Sequence, residues 1–355
     1  MSALAASRAG VENGVVRRSH VTIDLAALRH NATVLTRLLE RTELWAVVKA
    51  DGYGHGASDA ARAALDGGAA ALCVATVGEG LALRTELPGV RILVMGPTRP
   101  EDVPIARDAA LELAVNDTRL PEGVPVHLKL DTGMGRWGLS ELPVPGPAVV
   151  GLMTHFATAD TDRDFVHEQL ERFLRATEPY AGIFTRHTAN SAAALTFAET
   201  RLDAARCGIA LYGIDPFGVD VGRFGLRPVL RWESDVAQVR RLAPGESTGY
   251  GRQFVAGAET WLGIVPVGYA DGFRRDLTGT DVLVDGVRSP VVGVVSMDAI
   301  AVELRGPVEV GAPVTLVGDG VTLEHHARVA GTIAYELACA IRQLPGRSTR
   351  VVVGG

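Results

Sequence analysis

Apolar positions in residues 26–41, AALRHNATVLTRLLER, fall at Leu28, Val34, Leu35, Leu38 and Leu39, the spacing of one helix face. A continuous apolar run follows at 44–48. Then come a helix-like segment, SDAARAALDGGA, and a second run, LCVATV, at 72–77. The alternation continues through RILVMGP (91–97), LELAVND (111–117), VHLKLDT (126–132), VVGLMTH (149–155), IFTRHTA (183–189) and ARCGIAL (205–211). Strands apolar on both faces and separated by helices form a parallel sheet covered on both sides. Eight such units in succession predict a (β/α)8 barrel, although a doubly wound sheet shares the local pattern.

After about residue 228 the pattern changes. Short β-rich runs replace helical periodicity: WLGIVPVG, DVLVDGV, PVVGVVS, IAVEL, PVTLVG and RVVVG. Asp285-Gly286 between two of them signals a hairpin. The expected organisation is a loose N-terminal extension over 1–19, a barrel over 20–228 and a mostly antiparallel β domain over 229–355.

Composition narrows the function classes. The chain has 355 residues, enough for two domains, with 47% apolar and 21% charged residues. The net charge is −6 with no long run of one sign, which argues against a nucleic-acid or anionic-membrane partner. Three scattered cysteines, Cys73, Cys207 and Cys339, offer neither a disulfide framework nor zinc spacing, and point to a reducing cytoplasm. No window reads as a signal peptide or membrane span.

Barrel chemistry gathers where the strands end on their C-terminal side. The first run leads into Lys49 and breaks into GYGHG. The fifth carries Lys129 and Asp131 and reaches Arg136. The sixth ends in Thr154-His155, the seventh gives His187, Asn190 and Ser191, and the eighth gives Arg206 followed by Gly208. Singly, each has a bland reading as a satisfied structural residue or ion-pair partner. Together they predict a cationic mouth suited to an anionic ligand such as phosphate. Ser191 and Gly208-Ile209 stand where barrels hold phosphate on backbone N–H groups. A lysine beside a phosphate cup suggests pyridoxal phosphate chemistry.

The motifs AVVKADGYGHG, HLKLDTGMGRWG, THFATAD, HTANSAAAL, RCGIALYG, VPVGYADGFRR, VVSMDA and TIAYE resemble, in order, those of alanine racemases across residues 20–355. The resemblance implies an N-terminal barrel and a C-terminal β domain, with pyridoxal 5′-phosphate held covalently by Lys49. It implies a phosphate cup of Tyr53, Ser191, Gly208, Ile209 and Tyr335, with Asn190 beside it. Arg206 would face the pyridine nitrogen and His155 would lie beneath the ring. Arg136 would flank the cofactor's phenolic oxygen at the substrate site, paired with a Lys129 open to carbamylation. Tyr269 would be the second catalytic base, with Met297 and Asp298 lining the substrate site. In this family Tyr269 and the Met-Asp pair serve the partner's active site, which implies a homodimer with shared sites.

Two bases suit racemisation, because the α-proton leaves one face and returns on the other. By the family pattern Tyr269 serves the L-isomer and Lys49 the D-isomer. The implied function is interconversion of L- and D-alanine, a small amino-acid substrate, supplying D-alanine for peptidoglycan. Alternatives are a broad-specificity or serine racemase, a barrel decarboxylase, and a non-catalytic pyridoxal-phosphate-binding protein. The decarboxylase lacks a matching motif here, and the non-catalytic class usually has only the barrel. Three positions depart from the family pattern: Val294 for a frequent arginine, Ser296 for a frequent cysteine, and Trp137 for a smaller aliphatic residue.

Overall fold

The computed structural model describes residues 18–355. Of the N-terminal extension expected over 1–19, residues 1–17 lie outside the described residues. The chain divides into two compact units. One spans Leu25–Val229 and the other joins the segment through Asp24 to Leu230–Val353.

Eight strands build the first unit. They are β2 (Glu43–Val47), β3 (Ala71–Val74), β4 (Ile92–Val94), β5 (Glu112–Val115), β6 (Val126–Lys129), β7 (Val149–Met153), β8 (Thr185–His187) and β9 (Ala204–Cys207). All pair in parallel in sequence order, and β9 pairs back onto β2 to close the barrel. Each falls within or beside one of the apolar runs, as expected for strands that must exclude water on both faces. Helices Leu25–Leu39, Ala57–Asp66, Val77–Glu86, Val103–Asp108 and Arg163–Thr177 supply the outer layer. The first buries Leu28, Leu35 and Leu39 along one face. Thr76 and Glu79 cap the third reciprocally, each side chain binding the other's backbone N–H.

Strand β1 (Ser19–Asp24), SHVTID, opens the other unit. The sequence-based boundary assigned its residues from 20 onward to the barrel. Its burial alternates residue by residue, the pattern of a strand with one covered face. It pairs with β10 (Leu230–Asp235) antiparallel and with β19 (Ser348–Val353) in parallel. The rest of that sheet is β11 (Gln238–Leu242), β14 (Thr260–Val265), β15 (Asp281–Val284), β16 (Val287–Val292), β17 (Ile300–Leu304) and β18 (Pro313–Val317). Its order is β11-β14-β17-β16-β15-β18-β10-β1-β19, antiparallel except at the last pair. Two short strands, β12 (Ser247–Thr248) and β13 (Phe254–Val255), pair separately. The Asp285-Gly286 hairpin forms as expected, with Val284 opposite Val287 and both turn residues at positive φ. Two helices, Leu323–Ala330 and Ala334–Ala340, interrupt the β pattern before β19. Among the described residues, no helix is long and apolar enough to cross a membrane.

Candidate active site

Lys49 follows β2 at the C-terminal end of the barrel and is half-buried. The chain behind it makes an uncommon turn: Ala50, Asp51, Gly52, Tyr53 and Gly54 all have left-handed φ, between 51° and 81°. Left-handed conformation costs a non-glycine residue roughly 1 kcal/mol, so such a turn needs outside support. Glu79 provides it. One carboxylate oxygen accepts from Ala50 N at 2.8 Å, and the other accepts from Ala75 N and Thr76 N at 2.7 and 3.1 Å. The Asp51 side chain accepts from Ala57 N, and Tyr212 Oη donates to Val47 O at 3.0 Å. Tyr53, His55 and Tyr212 pack ring against ring behind the turn.

At the neighbouring strand ends, β9 pairing directly with β2, Ser191 Oγ accepts from Gly208 N at 2.9 Å and Ala210 N at 3.4 Å. Asn190 caps the following short helix through Ala193 N. Gly208 is required by close approach: a Cβ there would stand 2.3 Å from Tyr53 Oη. Tyr53, Asn190, Ser191, Gly208 and Ile209 therefore belong to one barrel end, and backbone N–H groups converge on the Ser191 hydroxyl.

Arg206, on β9, is buried, with 3% of its surface exposed. Its two terminal nitrogens donate to His187 Nδ1 and O, both at 2.7 Å, to Thr154 O at 2.7 Å and to Thr188 O at 3.2 Å. His155 Nδ1 lies 3.4 Å away. The Nε–H alone has no hydrogen-bond partner among the described residues. Burial pulls the guanidinium down to about 10, so it stays cationic at neutral pH. His155 is held well below the usual imidazole range by desolvation, then by Arg206, Lys129, Arg136 and Lys49. Positive charge from four side chains at the strand ends therefore acts on this one imidazole.

Lys129 ends β6 with 3% of its surface exposed. Burial first, then Arg136 and Arg206, lowers its amine to about 8. Lys129 and Asp131 form no ion pair. Asp131 turns instead to the backbone N–H groups of Gly133, Met134 and Gly135 at 2.9–3.1 Å. Trp137 lies against both cations, its ring 5.5 Å from Lys129 Nζ and 5.0 Å from the Arg136 guanidinium.

Tyr269, Met297, Asp298 and Tyr335 belong to the second unit. Tyr269 N donates to Ser296 O at 3.0 Å and Ala270 N to Met297 O at 3.1 Å, so the GYADG and VSMDA loops hold each other. Asp271 is buried and accepts from Gly268 N and, bidentately, from Arg347. Arg347 also donates to Asp298 at 2.8 Å and, with Arg18, holds that carboxyl below its ordinary range. Tyr269 and Met297 are exposed, at 40% and 52%. Tyr335 is half-buried on the helix Ala334–Ala340.

The residues fit pyridoxal phosphate on the chemistry of the donor set. One partnerless Arg206 N–H can meet a ring acceptor, backbone amides around Ser191 suit a phosphate, and an amine stands at the mouth. Sequence reasoning missed Glu79, Glu112 and His127. The segment TVGE carried a capping-box signal for Glu79, and Glu112 and His127 were polar residues inside apolar runs.

Residues 23–216 match the alanine racemase N-terminal domain, and residues 229–351 match the alanine racemase C-terminal domain. The alanine racemase of Lactiplantibacillus plantarum is 40% identical over 92% of this chain and 96% of its own length. That of Geobacillus stearothermophilus is 38% identical over 93% of this chain and 92% of its own. The solved alanine racemase of Streptomyces coelicolor superposes with a TM-score of 0.88 at 37% identity, covering 95% of this chain and 98% of that one. The Bacillus anthracis enzyme, solved with bound L-Ala-P, gives 0.83 at 32% identity over 96% of each chain. With both domain types matched and relatives aligned over most of its length, the chain belongs to the alanine racemase family.

Proposed function

We propose that this chain interconverts L- and D-alanine with pyridoxal 5′-phosphate and two bases, Lys49 and Tyr269. The observation that carries the proposal is the gathering of Lys49, Lys129, His155 and Arg206 at the strand ends of one closed barrel, with His155 3.4 Å from Arg206, in a chain of this family.

The chemistry that pyridoxal 5′-phosphate supplies when bound is electron withdrawal from the amino acid's α-carbon, which acidifies the α-proton. The chain's own residues do the rest. Tyr53, Ser191, Gly208, Ile209 and Tyr335 would hold the phosphate, with Asn190 beside them. Lys49 Nζ holds or returns the α-proton on the D-face, and the Tyr269 phenol oxygen does so on the L-face. Arg206 would offer its Nε–H, which has no partner among the described residues, to the ring nitrogen. A guanidinium does not readily give up its proton, so the ring nitrogen gains a hydrogen bond and not a charge. That limits charge delocalisation and with it side reactions. His155, its imidazole held well below the usual range, would pack against the bound group. Arg136 would orient the phenolic oxygen and the substrate, and Met297 and Asp298 would line the substrate site. An amine lowered to about 8 is partly neutral at physiological pH. Lys129 can therefore attack carbon dioxide through its lone pair, losing one proton, to give a carbamate that pairs with Arg136.

The exposure of Tyr269 and Met297 on the single chain supports a homodimer in which each subunit's Tyr269 serves its partner's site. A cytoplasmic enzyme supplying D-alanine for peptidoglycan is the corresponding cellular role. A chiral assay of purified protein with the cofactor tests the reading. Wild type should convert alanine faster than serine. Lys49→Ala and Tyr269→Phe should each lose about 10²–10⁴-fold in kcat. Turnover of another amino acid with inert alanine would overturn the substrate, and full activity in either variant would overturn the two-base scheme.

A further inference from the structure

Barrel interiors are ordinarily packed with branched apolar side chains. This one holds a polar chain that runs from a part-buried ion pair into the buried interior. Arg91, just ahead of β4, donates through Nε to both oxygens of Glu112 on β5 at 2.7 and 2.9 Å. Glu112 Oε2 lies 2.8 Å from His127 Nε2 on β6. His127 Nδ1 lies 2.8 Å from His187 Nε2 on β8, and His187 Nδ1 lies 2.7 Å from an Arg206 terminal nitrogen on β9. Both imidazoles are fully buried.

The two ends fix every proton between them. A guanidinium only donates, so His187 Nδ1 must accept and its hydrogen must sit on Nε2. His187 Nε2–H then donates to His127 Nδ1, whose hydrogen must also sit on Nε2. That N–H donates to Glu112, and an ionised carboxylate only accepts. Any other tautomer, or a charge on either ring, sets two donors against each other in a dry core. Space is kept for the arrangement, since a Cβ on Gly151 would stand 2.0 Å from His127 Nδ1. Trp45 packs against both rings, with centroids 5.6 and 4.6 Å away, and the Arg91 guanidinium lies 4.6 Å over Trp45. The charged groups acting on the two rings are Arg91, Glu112 and Arg206. Desolvation and the neighbouring cations hold both imidazoles below their ordinary range, and Glu112 stays ionised because hydrogen bonds from His127 and Arg91 outweigh its burial.

We propose that Glu112 is a positioning residue for the reaction: through a one-directional hydrogen-bond relay of His127 and His187 it fixes the plane of Arg206, so that the partnerless Nε–H faces the barrel mouth. The proposal rests on the assignment of Arg206 to the cofactor's ring nitrogen. Glu112 touches no substrate. It acts across the barrel interior from β5 to β9, and its carboxylate is the final acceptor that keeps His187 an acceptor toward Arg206.

Nitrogen NMR of histidine-labelled protein without cofactor reads the relay directly, with His127→Gln and His187→Gln assigning the signals. Both rings should be neutral with hydrogen on Nε2 and a bare Nδ1; a cationic ring or an Nδ1–H tautomer at either position would overturn the proposal. The second measurement is the absorption spectrum of pyridoxal phosphate bound to Glu112→Gln. The band and its pH profile should move relative to wild type, and kcat should fall several-fold more than KM changes. A folded Glu112→Gln with an unmoved spectrum would reduce the chain to a structural network. Should Glu112→Gln fail to fold, the wild-type tautomers alone still decide. Correct tautomers in a protein inert toward alanine would keep the relay and remove the racemase reading.

Discussion

Lys129 sets burial against charge. Its amine is lowered to about 8 from an ordinary 10.5, first by desolvation and then by Arg136 and Arg206. A folded value below the unfolded one means that the folded state releases its proton first. Stability therefore rises with pH between about 8 and 10.5, and the full penalty applies below that window. Lys129→Met should stabilise the protein at pH 7 by roughly 1–2 kcal/mol after allowance for solvent screening, with the gain shrinking toward zero above the window. Urea unfolding of the cofactor-free protein in carbon-dioxide-free buffer at pH 7 and pH 10 checks this. An equal difference at both pH values would contradict the assigned cause. Trp137 belongs to the same cluster, with its ring against both cations.

The turn after β2 depends on a residue from another element. Three of its members, Ala50, Asp51 and Tyr53, are non-glycine residues in left-handed conformation, and Glu79 ties Ala50 to the end of β3. Glu79→Ala leaves three backbone N–H groups without that acceptor and should cost about 1–3 kcal/mol by urea unfolding. Its affinity for pyridoxal phosphate should fall as well, and unchanged affinity would separate the turn from Lys49. These elements also show what the sequence makes legible. Most of the eight barrel strands were readable because each lies in an apolar run of its own, while β8, Thr185–His187, was readable from its place in the alternation. The strand ends named Lys49, Lys129, His155, Ser191 and Arg206 because chemistry collects there. Strand β1 was not readable as part of the other sheet, since Ser19 finds its partners at Ser234 and Ser348. The relay was not readable either. Glu112 in LELAV and His127 in VHLKL look like isolated polar residues until barrel closure brings β5, β6, β8 and β9 together. Residues 127 and 129 share a strand face, which placed the second as a candidate and gave no partner for the first.

The two proposed bases lie in different units, Lys49 in the barrel and Tyr269 on the β unit, and the proposed chemistry needs both at one α-carbon. The loop pairing that presents Tyr269 beside Met297 leaves both side chains exposed on one chain, as a surface completed by a second copy would require. Gel filtration should therefore give a dimer at assay concentrations. The most direct measurement mixes Lys49→Ala with Tyr269→Phe under conditions that exchange subunits, and follows alanine racemisation by chiral chromatography. Neither parent should turn over appreciably. A hybrid with shared sites carries one site in which the Lys49 of one subunit meets the Tyr269 of the other. Half of a random mixture is hybrid, so activity should return to roughly a quarter of wild type. A mixture that forms hybrids and stays as inactive as its parents would contradict the shared two-base site.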